Sequence, residues 1–214
     1  EAPPPSRRIL CPEIIGREGE LSELAAHLSA ASAGNGRTVL LAGEAGLGKS
    51  ALVKVFLDRA GSAGFRVLLG ECTEVEARRP FGPFIDALRA ASLPLPPELG
   101  QGAPGAQPVE ELERYRVHAG FAKTIADAAA ATPLAVVIED LHWADEATLE
   151  LVPYLARKLR DQRVLLLGTY RSDELHRLQH LAVDLLGDDL GVGEDHLVTL
   201  AAHGLDQNGE TELA

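Results

Sequence analysis

Gly43-Glu44-Ala45-Gly46-Leu47-Gly48-Lys49-Ser50 follows the apolar run Val39-Leu40-Leu41-Ala42 and opens a segment with helical periodicity. The spacing G-x-x-x-x-G-K-[ST] between a strand and a helix describes a loop that cradles phosphates. Its glycines let the main chain curl until several N–H groups point inward. The helix that follows adds partial positive charge at the same place. Lys49 is the point charge for the β and γ phosphates, and the Ser50 hydroxyl is a hard oxygen ligand for Mg²⁺. A strand-to-helix turn that binds nothing would need the motif, the strand and the helix to coincide by chance.

Working outward, residues 17–33 carry Leu21, Leu24, Leu28 and Ala31 at helical spacing, and Gly34-Asn35-Gly36 ends that helix. Strand one is expected over 37–42. After the loop, Leu52, Val53, Phe56, Leu57 and Ala60 form one helical face, and Gly61 and Gly64 precede a second strand over 65–71. This β-α-β alternation favours a parallel sheet covered by helices. A short helix is expected over 80–91 and a longer one over 109–131. Between them lie Pro94, Pro96, Pro97, Gly100, Gly102, Pro104, Gly105 and Pro108. That composition predicts a flexible loop over 92–108 with no regular element.

Leu134-Ala135-Val136-Val137-Ile138 reads as a third strand buried on both faces. Asp145 reads as the N-cap of a helix reaching about residue 160, with Leu149, Val152, Leu155 and Leu159 inward and a bend at Pro153. A fourth strand is expected over 164–169, a helix over 173–186, and a weaker fifth strand over 196–201. Residues 1–12 are Pro-rich and read as a linker.

A phosphate loop binds, but hydrolysis needs acids across the phosphates. Glu139 and Asp140 end the third strand, where a parallel sheet brings them beside the loop. Glu139 is assigned to Mg²⁺, and Asp140 to orienting and deprotonating the attacking water. The pattern also allows the reverse order, or two acids that only cap the next helix. Arg171, ending strand four after Gly168-Thr169-Tyr170, is placed to bind the γ phosphate. A surface ion pair is its competing reading. Trp143 reads as a core or interface anchor, and His142 as a polar neighbour of the site.

The chain of 214 residues has room for one α/β domain with a sizeable core. Its 20 Lys and Arg against 32 Asp and Glu give a net charge of −12, without the basic surface of a protein that grips nucleic acid through phosphates. No direct nucleic-acid contact is expected. No Lys or Arg follows Arg177, so much of the acidity lies in the C-terminal piece. Cys11 and Cys72 lack metal-ligand spacing and are read as reduced thiols. No apolar run has the length of a membrane span and the N-terminus lacks a signal-peptide pattern, which predicts a cytoplasmic protein. The absence of any Met suggests a piece of something longer.

These residues together resemble the nucleotide-binding domain of STAND-type signalling ATPases, most closely the AAA-like modules of large LuxR-type transcriptional regulators and related bacterial signalling proteins. Ile14-Ile15-Gly16-Arg17-Glu18-Gly19-Glu20 is similar to the family's hhGRExE segment near the base and sugar. Arg79-Pro80-Phe81-Gly82-Pro83 is similar to a recurrent stretch after strand two. Glu139-Asp140-Leu141-His142-Trp143-Ala144-Asp145 is similar to its "DDLHWAD" signature, and Gly168-Thr169-Tyr170-Arg171 to its arginine-bearing sensor strand.

The resemblance implies a three-layer α/β/α P-loop NTPase domain over 13–203, with a five-stranded parallel sheet ordered 5-1-4-3-2. It implies binding of ATP or ADP with Mg²⁺, slow hydrolysis, and self-association of the full-length protein under nucleotide control. The nucleotide contacts it implies are Gly16, Arg17, Gly43, Glu44, Ala45, Gly46, Leu47, Gly48, Lys49, Ser50 and Ala51, with Ser50 and Glu139 on the metal and Lys49, Asp140 and Arg171 in catalysis. Glu139 stands where many members carry Asp, and residues 204–214 resemble the start of a helical lid. Three other functions compete: a DNA-associated AAA-type loader, a small-molecule phosphotransferase, and a nucleotide-binding module without turnover.

Overall fold

A computed structural model of the chain describes residues 16–100, 111–174 and 197–201. The Pro-rich linker, Cys11, Ile14 and Ile15, the second part of the expected loop, most of the helix expected over 173–186, and the start of the lid lie outside the described residues.

The order is α1 (Glu18–Ser32), β1 (Arg37–Gly43), α2 (Lys49–Ser62), β2 (Arg66–Glu71), α3 (Gly82–Ala90), α4 (Glu111–Ala131), β3 (Leu134–Glu139), α5 (Glu146–Lys158), β4 (Val164–Arg171) and β5 (Leu197–Ala201). The strands form one sheet in the order β2-β3-β4-β1-β5. This is the expected 5-1-4-3-2 order read from the other edge, and every pairing is parallel. No helix among the described residues is long and apolar enough to cross a membrane.

Alternation along the strands builds two cores. Leu134, Val136 and Ile138 of β3 and Val164 and Leu166 of β4 face a core closed by α3, α4 and α5. Ala135, Val137, Leu165 and Leu167 face the other way, against Leu21, Leu24 and Leu28 of α1 and Leu52, Val53 and Phe56 of α2. A strand covered on both faces has no polar side to show, which is why β3 reads as an unbroken apolar run. Helix α5 is capped as expected, Thr148 N donating to Asp145 Oδ2 at 3.1 Å. Its most deeply buried residues include Leu151, Val152 and Leu155, whereas Leu149 is only partly covered. Of the expected inward residues Val152, Leu155 and Leu159 are buried, and Leu151 takes the place of Leu149.

The expected flexible loop needs correction in its described half. Residues Pro97–Gly100 form a 3-10 turn, and Leu93, Leu95 and Leu99 pack against the α3/α4/α5 core. Proline content removed backbone donors, but three leucines supplied burial that composition alone did not weigh. The stretch after β2 is also structural: Arg79 makes a two-pronged pair with Asp86 at 2.6 and 2.7 Å, and Phe81 is buried beside Phe121 and His118.

Candidate functional site

The C-terminal ends of β1, β3 and β4 meet at one edge of the sheet. Register pairs Gly43 with Arg171 and Ile138 with Gly168, so the phosphate loop, the acidic pair and the arginine emerge side by side. Gly46 and Gly48 have φ of 84° and 76°, a conformation that costs glycine little and other residues more. With these two positions left-handed, the loop curls directly into α2, whose first N–H groups have no partner within the helix. That is the geometry of an anion cradle. Glu44, Ala45, Gly46 and Gly48 are exposed, Leu47 is half-buried, and Lys49 is only 8% exposed.

Lys49 Nζ donates to the carbonyl oxygens of Gly43 at 2.6 Å and Glu44 at 2.9 Å. Burial lowers its pKa, Asp140 opposes that, and Arg171 lowers it further. Asp140 and Arg171 are thus near enough to the Lys49 ammonium group for their charges to act on it.

The acids complete the site. The Ser50 side chain lies close enough to the Glu139 carboxyl to draw its pKa down by hydrogen bonding. Two groups far apart in the chain, both assigned to the same cation, thus lie side by side. Burial raises the Glu139 pKa, Ser50 draws it down, and Asp140 and Glu71 push it up again. Glu71 lies directly across from it in the β2–β3 register. Cys72, free and buried, is pushed up to about 12 by burial and by Asp145, Asp140 and Glu71, so one side of the site carries concentrated negative potential. No group of three or more His, Cys, Asp or Glu among the described residues is arranged to hold a metal unaided.

Asp140 sits at φ 58°, and its N–H donates to Thr169 Oγ1 at 2.9 Å. The hydroxyl, fully buried on β4, pins the turn that aims the carboxylate. This role for Thr169 was missed from sequence; its polar side chain inside an apolar strand was the available signal. His142 is buried, with Nδ1 3.9 Å from Asp140 Oδ1. Burial lowers its pKa and Asp140 raises it, the balance favouring the neutral ring. Trp143 is half-buried against the core and His142.

Two arginines stand near the loop, each engaged by groups of the chain itself. Arg17 is buried; it pairs with Glu20 at 3.0 Å and donates to Leu47 O at 2.5 Å, so it grips the outside of the phosphate loop. Arg171 forms the ion pair of the competing reading. Nε meets Asp173 Oδ1 at 3.1 Å, Nη2 meets Oδ2 at 2.6 Å, and Nη1 lies 3.5 Å from Glu174 Oε1.

A phosphate cradle, a buried lysine and a serine beside a glutamate on a five-stranded parallel sheet define a P-loop ATPase fold. The chain belongs to the family described as AAA ATPase domain, whose profile matches residues 13–167. The chain is similar to the Walker-type ATPase of Pyrococcus abyssi, with a TM-score of 0.59, 18% identity, and coverage of 98% of this chain and 58% of that one. It is also similar to Cdc6p from Pyrobaculum aerophilum, with a TM-score of 0.56 and 14% identity over 90% of this chain and 47% of that one. The Orc1 protein of Aeropyrum pernix, solved in complex with DNA, gives a TM-score of 0.53 and 20% identity over 91% and 47%. An uncharacterized protein of Rhizobium meliloti (strain 1021) is 25% identical, matching 74% of this chain but 18% of its own length. The chain thus spans under a fifth of that relative and about half of the solved ones.

Proposed function

We propose that this AAA domain binds ATP with Mg²⁺, hydrolyses it slowly, and acts as the nucleotide switch of a larger bacterial signalling or transcriptional regulator. The observation that carries the reading is the placement of the Ser50 side chain beside the Glu139 carboxyl, next to a loop whose Gly46 and Gly48 are left-handed. The loop N–H groups and Lys49 hold the polyphosphate, and Lys49 exchanges its loop carbonyls for phosphate oxygens. Asp140, held by Thr169, takes the proton of the attacking water. Mg²⁺, when bound at Ser50 and Glu139, supplies charge neutralisation on the phosphates. Support for the regulator role is the run 139–145 with its Glu-Asp-Leu-His-Trp-Ala-Asp pattern, and the Gly168-Thr169-Tyr170-Arg171 strand end.

The test is calorimetric titration with ATP·Mg²⁺, joined to measurement of ADP release. Lys49→Ala is expected to weaken ATP binding by about 1.5–3 kcal/mol, the scale of a lost charged hydrogen bond. Asp140→Asn is expected to bind ATP normally and to slow turnover by about 100-fold or more. Unaltered affinity in the first variant would overturn the binding site, and undiminished turnover in the second would overturn the base.

A DNA-associated AAA-type loader shares this chemistry, and one local observation favours it. Tyr115, Tyr154, Arg157, Lys158, Arg160 and Asp161 line a surface cleft of about 530 Å³, a basic-aromatic grouping that the overall charge of −12 concealed. Salt-dependent DNA binding that disappears on replacing Arg157 and Lys158 with Ala would select this reading.

A further inference from the structure

Both cations assigned to the phosphates are engaged by groups of the chain itself. Lys49 is engaged by backbone carbonyls; Arg171 is engaged by the carboxylates of Asp173 and Glu174, in the 3-10 turn over residues 172–174 that follows β4. The Asp173 pair is two-pronged, with both carboxylate oxygens used. Asp173 also lies close enough to Lys49 for each to feel the other's charge. One carboxylate therefore addresses the same two cations that a terminal phosphoryl group would address.

From this we infer that Asp173, assisted by Glu174, is an internal competitor of the γ phosphate for Arg171 and so sets the discrimination between ATP and ADP. The inference rests on the reading of the loop as an ATP site. A guanidinium fork matches a carboxylate and a phosphate in the same way, and it can face one of them at a time. ATP brings a γ phosphate with more charge than a carboxylate and takes the fork. ADP has no group at that position and leaves Arg171 on Asp173. The pair is partly solvated, with side chains 32% and 49% exposed, so the contest is close and the exchange costs little. Asp173 is thus a positioning residue, acting on nucleotide through Arg171.

The experiment is titration of the full chain with ATP·Mg²⁺ and separately with ADP·Mg²⁺, in the parent, Asp173→Asn, Arg171→Ala and the double variant. Asp173→Asn is expected to tighten ATP roughly three- to five-fold, the scale of one exposed ion pair, with a smaller change for ADP. In the Arg171→Ala background the same substitution is expected to leave the ATP-to-ADP ratio unchanged. Glu174→Gln is expected to move the ratio in the same direction by less, and it reports on the clamp should Asp173→Asn not fold. Equal tightening of both nucleotides, or a ratio change that survives without Arg171, would overturn the inference while leaving the ATP site intact. Absence of ATP binding in the parent would overturn both together.

Discussion

Glu139 is half-buried at the end of a buried strand, and its environment favours the protonated form. The folded chain therefore holds that proton more tightly than the unfolded chain does. Below the ordinary value near 4.5 nothing is lost; as pH rises from there through the folded value, stability falls, and above the folded value the full penalty is present. Glu139→Gln is accordingly expected to raise the urea midpoint at pH 7, with the gain shrinking toward pH 4. The same variant is expected to lose the Mg²⁺-dependent part of ATP affinity by about tenfold or more. A residue that weakens the fold and strengthens the ligand is the mark of a site group. Much at this scale was legible: a lysine and a serine at fixed places in a glycine-rich loop, and an acid pair after an apolar run. Partners were not. Nothing in the spacing of Arg17 and Leu47, or of Asp140 and Thr169, shows that they meet, because such bonds are made by the packing of separate elements.

Elements were read mainly from periodicity. Leu21, Leu24, Leu28 and Ala31 were expected on one face of α1 and are its buried residues, since helical spacing leaves one stripe to bury. Helix α5 keeps its cap and buries Val152, Leu155 and Leu159 as expected, with Leu151 rather than Leu149 filling the start of the stripe. The approach of α3 to β2 shows what periodicity cannot hold. A Cβ on Gly70 would lie 2.3 Å from the carbonyl oxygen of Pro83 and 3.1 Å from Ile138 Cδ1. Bare backbone at that position lets the first turn of α3 lie on the strand. Gly70→Ala is expected to cost about 2–3 kcal/mol in urea denaturation, because backbone rather than a flexible side chain must move. An unchanged midpoint would mean that α3 sits further from the sheet than described.

At the scale of the molecule, the two cores found among the described residues lie on the sheet whose edge carries the loop, so ligand affinity is read as stability. A ligand bound only by the folded form adds about 2.7 kcal/mol at a hundred times its Kd. For a chain of this size that corresponds to a rise in Tm of about 5–10 °C. ATP·Mg²⁺ is expected to give that rise in differential scanning calorimetry, and Lys49→Ala to abolish it. A parent chain with a Tm indifferent to ATP·Mg²⁺ would argue that no site forms. The amino-acid order alone determined the β-α-β succession, the parallel sheet and the loop chemistry, because those follow from local periodicity, glycine conformation and the charge of single side chains. Tertiary structure decided that Ser50 lies beside Glu139, that Arg17 braces the loop, that Leu93, Leu95 and Leu99 settle on the core, and that Arg171 faces Asp173. Each of those depends on distances between elements, and only the packing of helices on a twisted sheet sets such distances.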